Sequence, residues 1–359
     1  MKKIACLLML ILMLMYNTVI FAGSDFEVPE TILVKLNDGS IEEIDLDTYL
    51  YSVVQSEMGV SYRAKGMSSS AAVPLESLKA QAVASRSYAV YQILNSSANA
   101  TYHVTSTTSS QVYKDNINIR DIVKEAVDST SGQVVLYDGK IACTYFYSTS
   151  GGHTEASENV WTAALPYLRG VSDEYEIEVE NCSNWTRTFT FDELKVLFPY
   201  VGEIEDIEIL KRSENDRVIE LEITGSKGSK VLKKNSIRTT MGASKIRSQW
   251  FDVEVEDDEA IFTGKGYGHG VGMSQNGAIG MGLEGFEYNE IIHWYYTDVE
   301  ILGEKVGSSQ GGRPDTTVDD EDDYIYEEEE VIDIPTPLLD ATTSVLTTNW
   351  LQAILFGHI

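Results

Sequence analysis

"TILVKLNDGSIEEIDLDTYLYSVVQSEM", Thr31 to Met58, is the stretch on which the fold turns. Two short β-type runs flank Asn37-Asp38-Gly39, a turn signal that predicts a hairpin. The hydrophobic period then changes. Leu50, Val53, Val54 and Glu57 stand at i, i+3, i+4 and i+7, which predicts a helix with Asp47 as its N-cap and Glu57 on its apolar face. The Gly- and Ser-rich stretch "GVSYRAKGMSSSAAV" reads as a loop. Pro74 opens a second helix through about Leu94, with Leu75, Leu78, Ala82, Ala89 and Ile93 toward the core and Arg86 on the same face. From Tyr102 to Val253 short β-type runs ("GQVVLYDGKIACTYFYS", "RVIELEITG") alternate with brief helices ("IRDIVKEAVDST", "DELKVLF"). "EAIFTG" then reads as a strand and "YNEIIHWYYTDV" as a last helix. The pattern is α+β, mixed short strands and helices, without internal repeats.

The ends differ from this body. Lys2-Lys3 precede an apolar run, and Ile20 would occupy the −3 site of a cleavage after Ala22, where a small residue is preferred. Residues 1–23 are therefore expected to be a signal anchor rather than a cleaved signal peptide, with the rest on the extracytoplasmic side. Residues 24–303 read as one domain. Residues 304–359 form an acidic tail, predicted to be disordered, because "VDDEDDYIYEEEE" is too charged to fold alone. The net charge of −29 argues against nucleic acid as a partner, whereas a neutral or polar glycan is compatible with it. Cys6 lies in the anchor, and spacing leaves open whether Cys143 and Cys182 pair. The five histidines and the cysteines show no metal-ligand spacing, and nothing calls for a cofactor.

Four places carry candidate chemistry. Glu57 is either a helix-end carboxylate solvated past the core or a group at a cleft, where Val53, Val54 and Met58 would desolvate it and suit it to general-acid work. Arg86 is either a structural ion-pair partner or a residue that holds substrate or scaffold. "YFYSTSGGHTEASENVW" (Tyr145–Trp161) places Ser148, Ser150 and His153 in a hydroxyl-rich turn near a tryptophan, a pattern shared by carbohydrate sites and ordinary hairpin tips. "GKGYGHGVGMSQNGA" (Gly264–Ala278) holds six glycines, Tyr267, His269, Ser274 and Gln275. It lacks the third glycine of a dinucleotide fingerprint and is no G-x-S-x-G elbow. Its glycines predict close backbone approach, and His269 is expected to have few side-chain neighbours and to point into a cleft.

Together, and in this order, "YLYSVVQSEM", "PLESLKAQAVASRSYAV", "YSTSGGHTEASENVW" and "GYGHGVGMSQNGA" resemble the SpoIID/LytB family of sporulation lytic transglycosylases and amidase enhancers. The resemblance spans about Thr31 to Leu302. It implies a glycan-binding cleft, Glu57 as the catalytic glutamate, and Arg86 as the arginine of the second helix. It also implies that Ser148, Ser150, His153, Tyr267, His269, Ser274 and Gln275 line the cleft. The implied substrate is the peptidoglycan glycan strand, and the implied partner a wall amidase/endopeptidase of forespore engulfment. Gly59 stands where the family usually has proline, roughly ten extra residues follow it, and Tyr147 stands where many members have histidine. A non-catalytic amidase enhancer is the alternative. A serine hydrolase pairing Ser150 or Ser274 with His153 or His269 is a weaker one, for want of the elbow.

Overall fold

The computed structural model describes residues 27–303. The expected anchor and acidic tail lie outside the described residues. The predicted hairpin is present: β1 (Thr31–Lys35) pairs antiparallel with β2 (Ile41–Asp45), with Thr31 opposite Asp45 and Lys35 opposite Ile41. The chain passes without a linker into α1 (Leu46–Glu57). Its N-cap is Asp45, whose carboxylate accepts the Thr48 N–H at 2.8 Å, and not Asp47 as the sequence predicts. Asp45 sits at ψ 134°, outside the helix, whereas Asp47 already belongs to the first turn and faces Arg86.

The expected loop after α1 contains a two-residue strand pair, β3 (Ser61–Tyr62) with β4 (Ala71–Ala72). Pro74 then caps α2 (Leu75–Asn95). From Ser77 to Val90 every residue of α2 except Lys79 is buried, because the helix runs through the middle of the first core. Packed around it are α1, α3 (Asp121–Ser129), α7 (Gln275–Leu283) and α8 (Tyr288–Tyr295). Small sheets complete this lobe. β5 (Val104–Thr105) runs parallel to β1, and β6 (Val134–Tyr137) lies between β7 (Lys140–Ile141) and β16 (Glu300–Leu302). β8 (Phe146–Tyr147) runs parallel to β15 (Met273–Ser274). After β8 a single turn, α4 (Ser157–Val160), leads to Trp161.

The middle of the chain builds a second apolar core. One antiparallel sheet has β11 (Val218–Gly225) between β10 (Ile204–Arg212) and β12 (Gly228–Lys233). The other has β14 (Glu259–Lys265) between β13 (Trp250–Glu256) and β9 (Asn184–Thr190). Along β11 buried and partly exposed residues alternate, the period of a strand with one face on a core. Phe189, Phe198, Leu221, Ile223, Phe251 and Phe262 fill that core. α5 (Phe191–Leu197) and α6 (Ser236–Met241) flank the sheets. Cys143 and Cys182 are both free.

Candidate active site

A cavity of about 850 Å³ draws its walls from both cores. Glu57 enters from the last residue of α1, Tyr145, Ser148 and Trp161 from the segment around β8 and α4, and Asn235, Arg238 and Thr239 from the neighbourhood of α6. Tyr267, His269 and Gln275 come from the glycine-rich stretch. Thr149 and Tyr267 exchange backbone hydrogen bonds of 3.0 and 2.8 Å, which seats the Ser148 turn against that stretch.

Glu57 is the single carboxylate lining this cavity among the described residues. Oε1 accepts the Val112 N–H at 2.6 Å, and Oε2 accepts the Gln275 amide at 3.4 Å. The same amide reaches Gln81 Oε1 at 3.4 Å, and Gln81 donates to Ser85 at 2.9 Å, so neutral groups fix the carboxyl's position. Val53 and Val54 are fully buried beside it. Burial holds its pKa above the ordinary carboxylate value, against the opposing hydrogen bonds from Val112 and Gln275. Glu57 has no ion-pair partner among the described residues, so no cation offsets that desolvation.

His269 does not stand alone. Its ring centroid is 5.1 Å from Trp161, 5.2 Å from Tyr147 and 6.1 Å from Tyr145. Nδ1 accepts the Val271 N–H at 3.1 Å, which leaves Nε2 to donate to the Phe146 carbonyl at 3.1 Å. Burial, reinforced by Arg238, lowers its pKa to about 3, so the imidazole stays neutral. It contributes a ring wall to the cavity rather than a proton carrier. The expectation of a histidine with few neighbours is thereby corrected, because flanking glycines admit other side chains into the space they leave. At Gly270, φ is +89°, and an added Cβ would meet the Arg217 guanidinium carbon at 2.8 Å.

Four other predicted site residues lie away from the cavity. Arg86 is fully buried. Its guanidinium donates to the carbonyls of Thr130 (2.8 Å), Val127 (3.1 Å) and Gln133 (3.4 Å), with Asp47 at 3.5 Å. It binds the C-terminal end of α3 to α2 and has no opening toward a ligand, which corrects the substrate-holding role. Ser150 and Ser274 are also fully buried. Ser274 caps α7 by accepting the Gly277 N–H at 3.1 Å and donates to Glu176 at 2.9 Å, whereas Ser150 accepts the Gly152 N–H at 2.9 Å. His153 turns Nδ1 to the Thr154 carbonyl at 2.6 Å. The nitrogens of His269 are both taken by backbone, and neither serine is bonded to a histidine, so the geometry does not support a serine-hydrolase pair.

Two groups escaped the sequence reading. Glu176 accepts N–H groups from Ser150 and Gly151 together with the Ser274 hydroxyl, tying the hydroxyl-rich turn to the start of α7. Burial, then the neighbouring Asp173 charge, pushes its pKa up to about 7. Nothing within "EYEIEVE" separates Glu176 from its acidic neighbours. Arg238 is the other. It stands three residues before the buried Met241 on α6, and that helical spacing is the signal that could have placed it on a buried face.

The stage II sporulation protein (SpoIID) family model matches residues 37–137, from the first hairpin turn through β6, and so includes Glu57 and Arg86. Stage II sporulation protein D of Bacillus amyloliquefaciens is 32% identical over 283 residues, covering 74% of this chain and 77% of the relative. The chain belongs to the SpoIID family. An uncharacterized protein of Brachyspira hyodysenteriae is 32% identical over 295 residues, 80% of this chain and 73% of its own length. The amidase enhancer of Bacillus subtilis (strain 168) is 27% identical over 270 residues, 62% of this chain but 37% of the enhancer. A domain of unknown function (DUF8618) matches residues 176–272, the whole second core together with the first part of the glycine-rich stretch.

Proposed function

We propose that this SpoIID-family chain is a peptidoglycan lytic transglycosylase, cleaving the bond between N-acetylmuramic acid and N-acetylglucosamine and leaving 1,6-anhydro ends. The observation that carries the reading is Glu57: one carboxyl whose pKa burial raises, lining a cavity with aromatic and amide neighbours and, among the described residues, no second carboxylate. A glycosidase that activates water needs two carboxylates. A lytic transglycosylase needs one. Glu57 donates its proton to the glycosidic oxygen, and the resulting carboxylate takes the proton of the muramyl 6-hydroxyl as that oxygen attacks its own anomeric carbon. Gln275 and the Val112 N–H stabilise the carboxylate between the two transfers. Trp161 and Tyr145, centroids 4.5 Å apart, offer apolar faces to sugar rings. The proposed setting is the cell-wall side of the membrane, reached through the N-terminal segment, beside a wall amidase/endopeptidase during engulfment.

The test is mass spectrometry of purified glycan strands after incubation with the full-length chain. Anhydro-muramyl ends, one water lighter than hydrolysed ends, are expected. Free reducing ends would instead identify a hydrolase. The similarity to the amidase enhancer favours a second reading, a non-catalytic glycan-binding stimulator of an amidase. Intact strands together with increased activity of an added amidase would establish that one.

A further inference from the structure

We propose that Arg238 forms a carboxylate-binding subsite of the cleft, through which the second core reads an anionic group on the glycan strand. This rests on the reading that glycan occupies the cavity. Arg238 lines the cavity it shares with Glu57, yet only 8% of its surface is exposed. Nε donates to the carbonyls of Arg247 at 3.0 Å and Ile246 at 3.3 Å, which fixes the base of the guanidinium. The two terminal nitrogens have no hydrogen-bond partner and no carboxylate in ion-pair range among the described residues. Neither is sealed from solvent as an unpartnered buried atom, as Arg217 Nη1 is. They therefore meet the open space of the cavity.

Arg86 and Arg217 show the contrast, since both spend terminal nitrogens on protein carbonyls. Nor is acid scarce: the chain has 56 Asp and Glu against 27 Lys and Arg. A largely desolvated charge without a counter-ion is costly, and a ligand's carboxylate removes that cost through the guanidinium's paired donors. Asn235 and Thr239 add polar lining beside it. The sugar rings of peptidoglycan are neutral. Its carboxylates sit on the lactyl ether where no peptide is attached, or on the stem peptide where one is.

The experiment measures binding of four probes to the full-length chain by tryptophan fluorescence, Trp161 being in the cavity. The probes are peptide-free glycan strands, the same strands with lactyl carboxyls amidated to neutral groups, strands bearing stem peptides, and those strands with peptide carboxyls amidated. Amidation is expected to weaken binding about 10-fold or more in one pair, as for loss of a charged hydrogen-bonded contact, and the pair affected identifies the source. Arg238→Gln is expected to bind charged and amidated strands alike, and Arg238→Lys to keep part of the preference. Equal binding of charged and amidated strands by the wild type overturns the subsite while leaving the glycan reading standing, and needs no variant to fold. A preference that survives in a folded Arg238→Gln also overturns it. Failure to bind any strand removes the glycan reading and the subsite with it.

Discussion

At the residue scale, Glu57 and His269 show how burial divides two titratable groups of one cavity into different roles. Both lie against apolar neighbours, and burial disfavours the charge on each. For the acid this favours the protonated form, for the imidazole the neutral, deprotonated one. Glu57→Gln copies the neutral acid's shape without a proton to give, so glycan cleavage is expected to fall at least about 100-fold while the melting temperature stays close to wild type. Residual cleavage within a few-fold of wild type would remove Glu57 from the chemistry. His269→Ala is expected to unfold more easily, by on the order of 3 kcal/mol, since it deletes a packed ring and leaves the Phe146 carbonyl and Val271 N–H unpaired. A thermal melt checks this, and an unchanged melt would mean that the ring contacts carry little. Glu57 was legible because a carboxylate on an apolar helical stripe is conspicuous. The neighbours of His269 were not, since Tyr145, Tyr147 and Trp161 meet it only through tertiary packing. Arg86 could be placed on the correct helical face but not given a role, because carbonyls at the end of another helix carry no sequence mark.

Helices and strands were legible wherever the period was strong, as in the hairpin, α1, α2 and β11, and illegible where local propensity contradicts the fold. α7 is the clearest case. Gly277, Gly280 and Gly282 each cost helix stability in isolation, so the segment reads as packed small residues rather than as a helix. Tertiary contact overrides that preference. The carbonyl of Tyr175 occupies the space a Cβ on Gly280 would need. Alanine at 280 should favour the isolated helix by about 1 kcal/mol, but overpacking against backbone costs about 1–3 kcal/mol. The second effect is expected to win because the intruding atom is a main-chain oxygen that cannot rotate away. Gly280→Ala should therefore lower the melting temperature. It should also weaken glycan binding, because α7 carries Gln275 at its first turn. A variant more stable than wild type would show that the 175 segment yields easily. The second core was only partly legible: its strands followed from alternation, whereas their closure into a separate hydrophobic unit depends on pairings such as β9 with β14, some seventy residues apart.

Across the whole molecule, the cavity depends on two lobes keeping register, and Glu176 is one of the groups that holds the first lobe's loops together. It joins Ser150, Gly151 and Ser274, while Arg217 reaches from the second lobe to the carbonyls of Ser150 (2.8 Å) and His153 (3.0 Å). The Glu176 carboxyl has a folded pKa of about 7, above its unfolded value of about 4.3. A raised pKa means that the folded state binds the proton more tightly, so the contribution is complete below about pH 4.3 and is lost as pH rises through 7. Asp173 and Glu57 carry the same sign. His269 carries the opposite consequence: its pKa is lowered to about 3, so the folded state refuses a proton that the unfolded chain accepts, and stability falls as pH drops below about 6.5. Between pH 5 and 8 the two trends oppose each other, and the wild-type melting temperature alone would conceal both. Glu176→Gln separates them. Its amide cannot ionise, while His269, which does not interact with Glu176, is common to both proteins and cancels in the difference; Asp173, whose charge faces Glu176, titrates with it and belongs to the same response. The melting temperature of the variant relative to wild type is expected to climb from pH 5 and to level off above about pH 7, by an amount equivalent to on the order of 2 kcal/mol. Paired calorimetric scans at half-unit intervals measure this directly. A difference that stays constant over that range would mean that Glu176 titrates as an ordinary carboxylate and that the turn beneath the cavity is held without a proton.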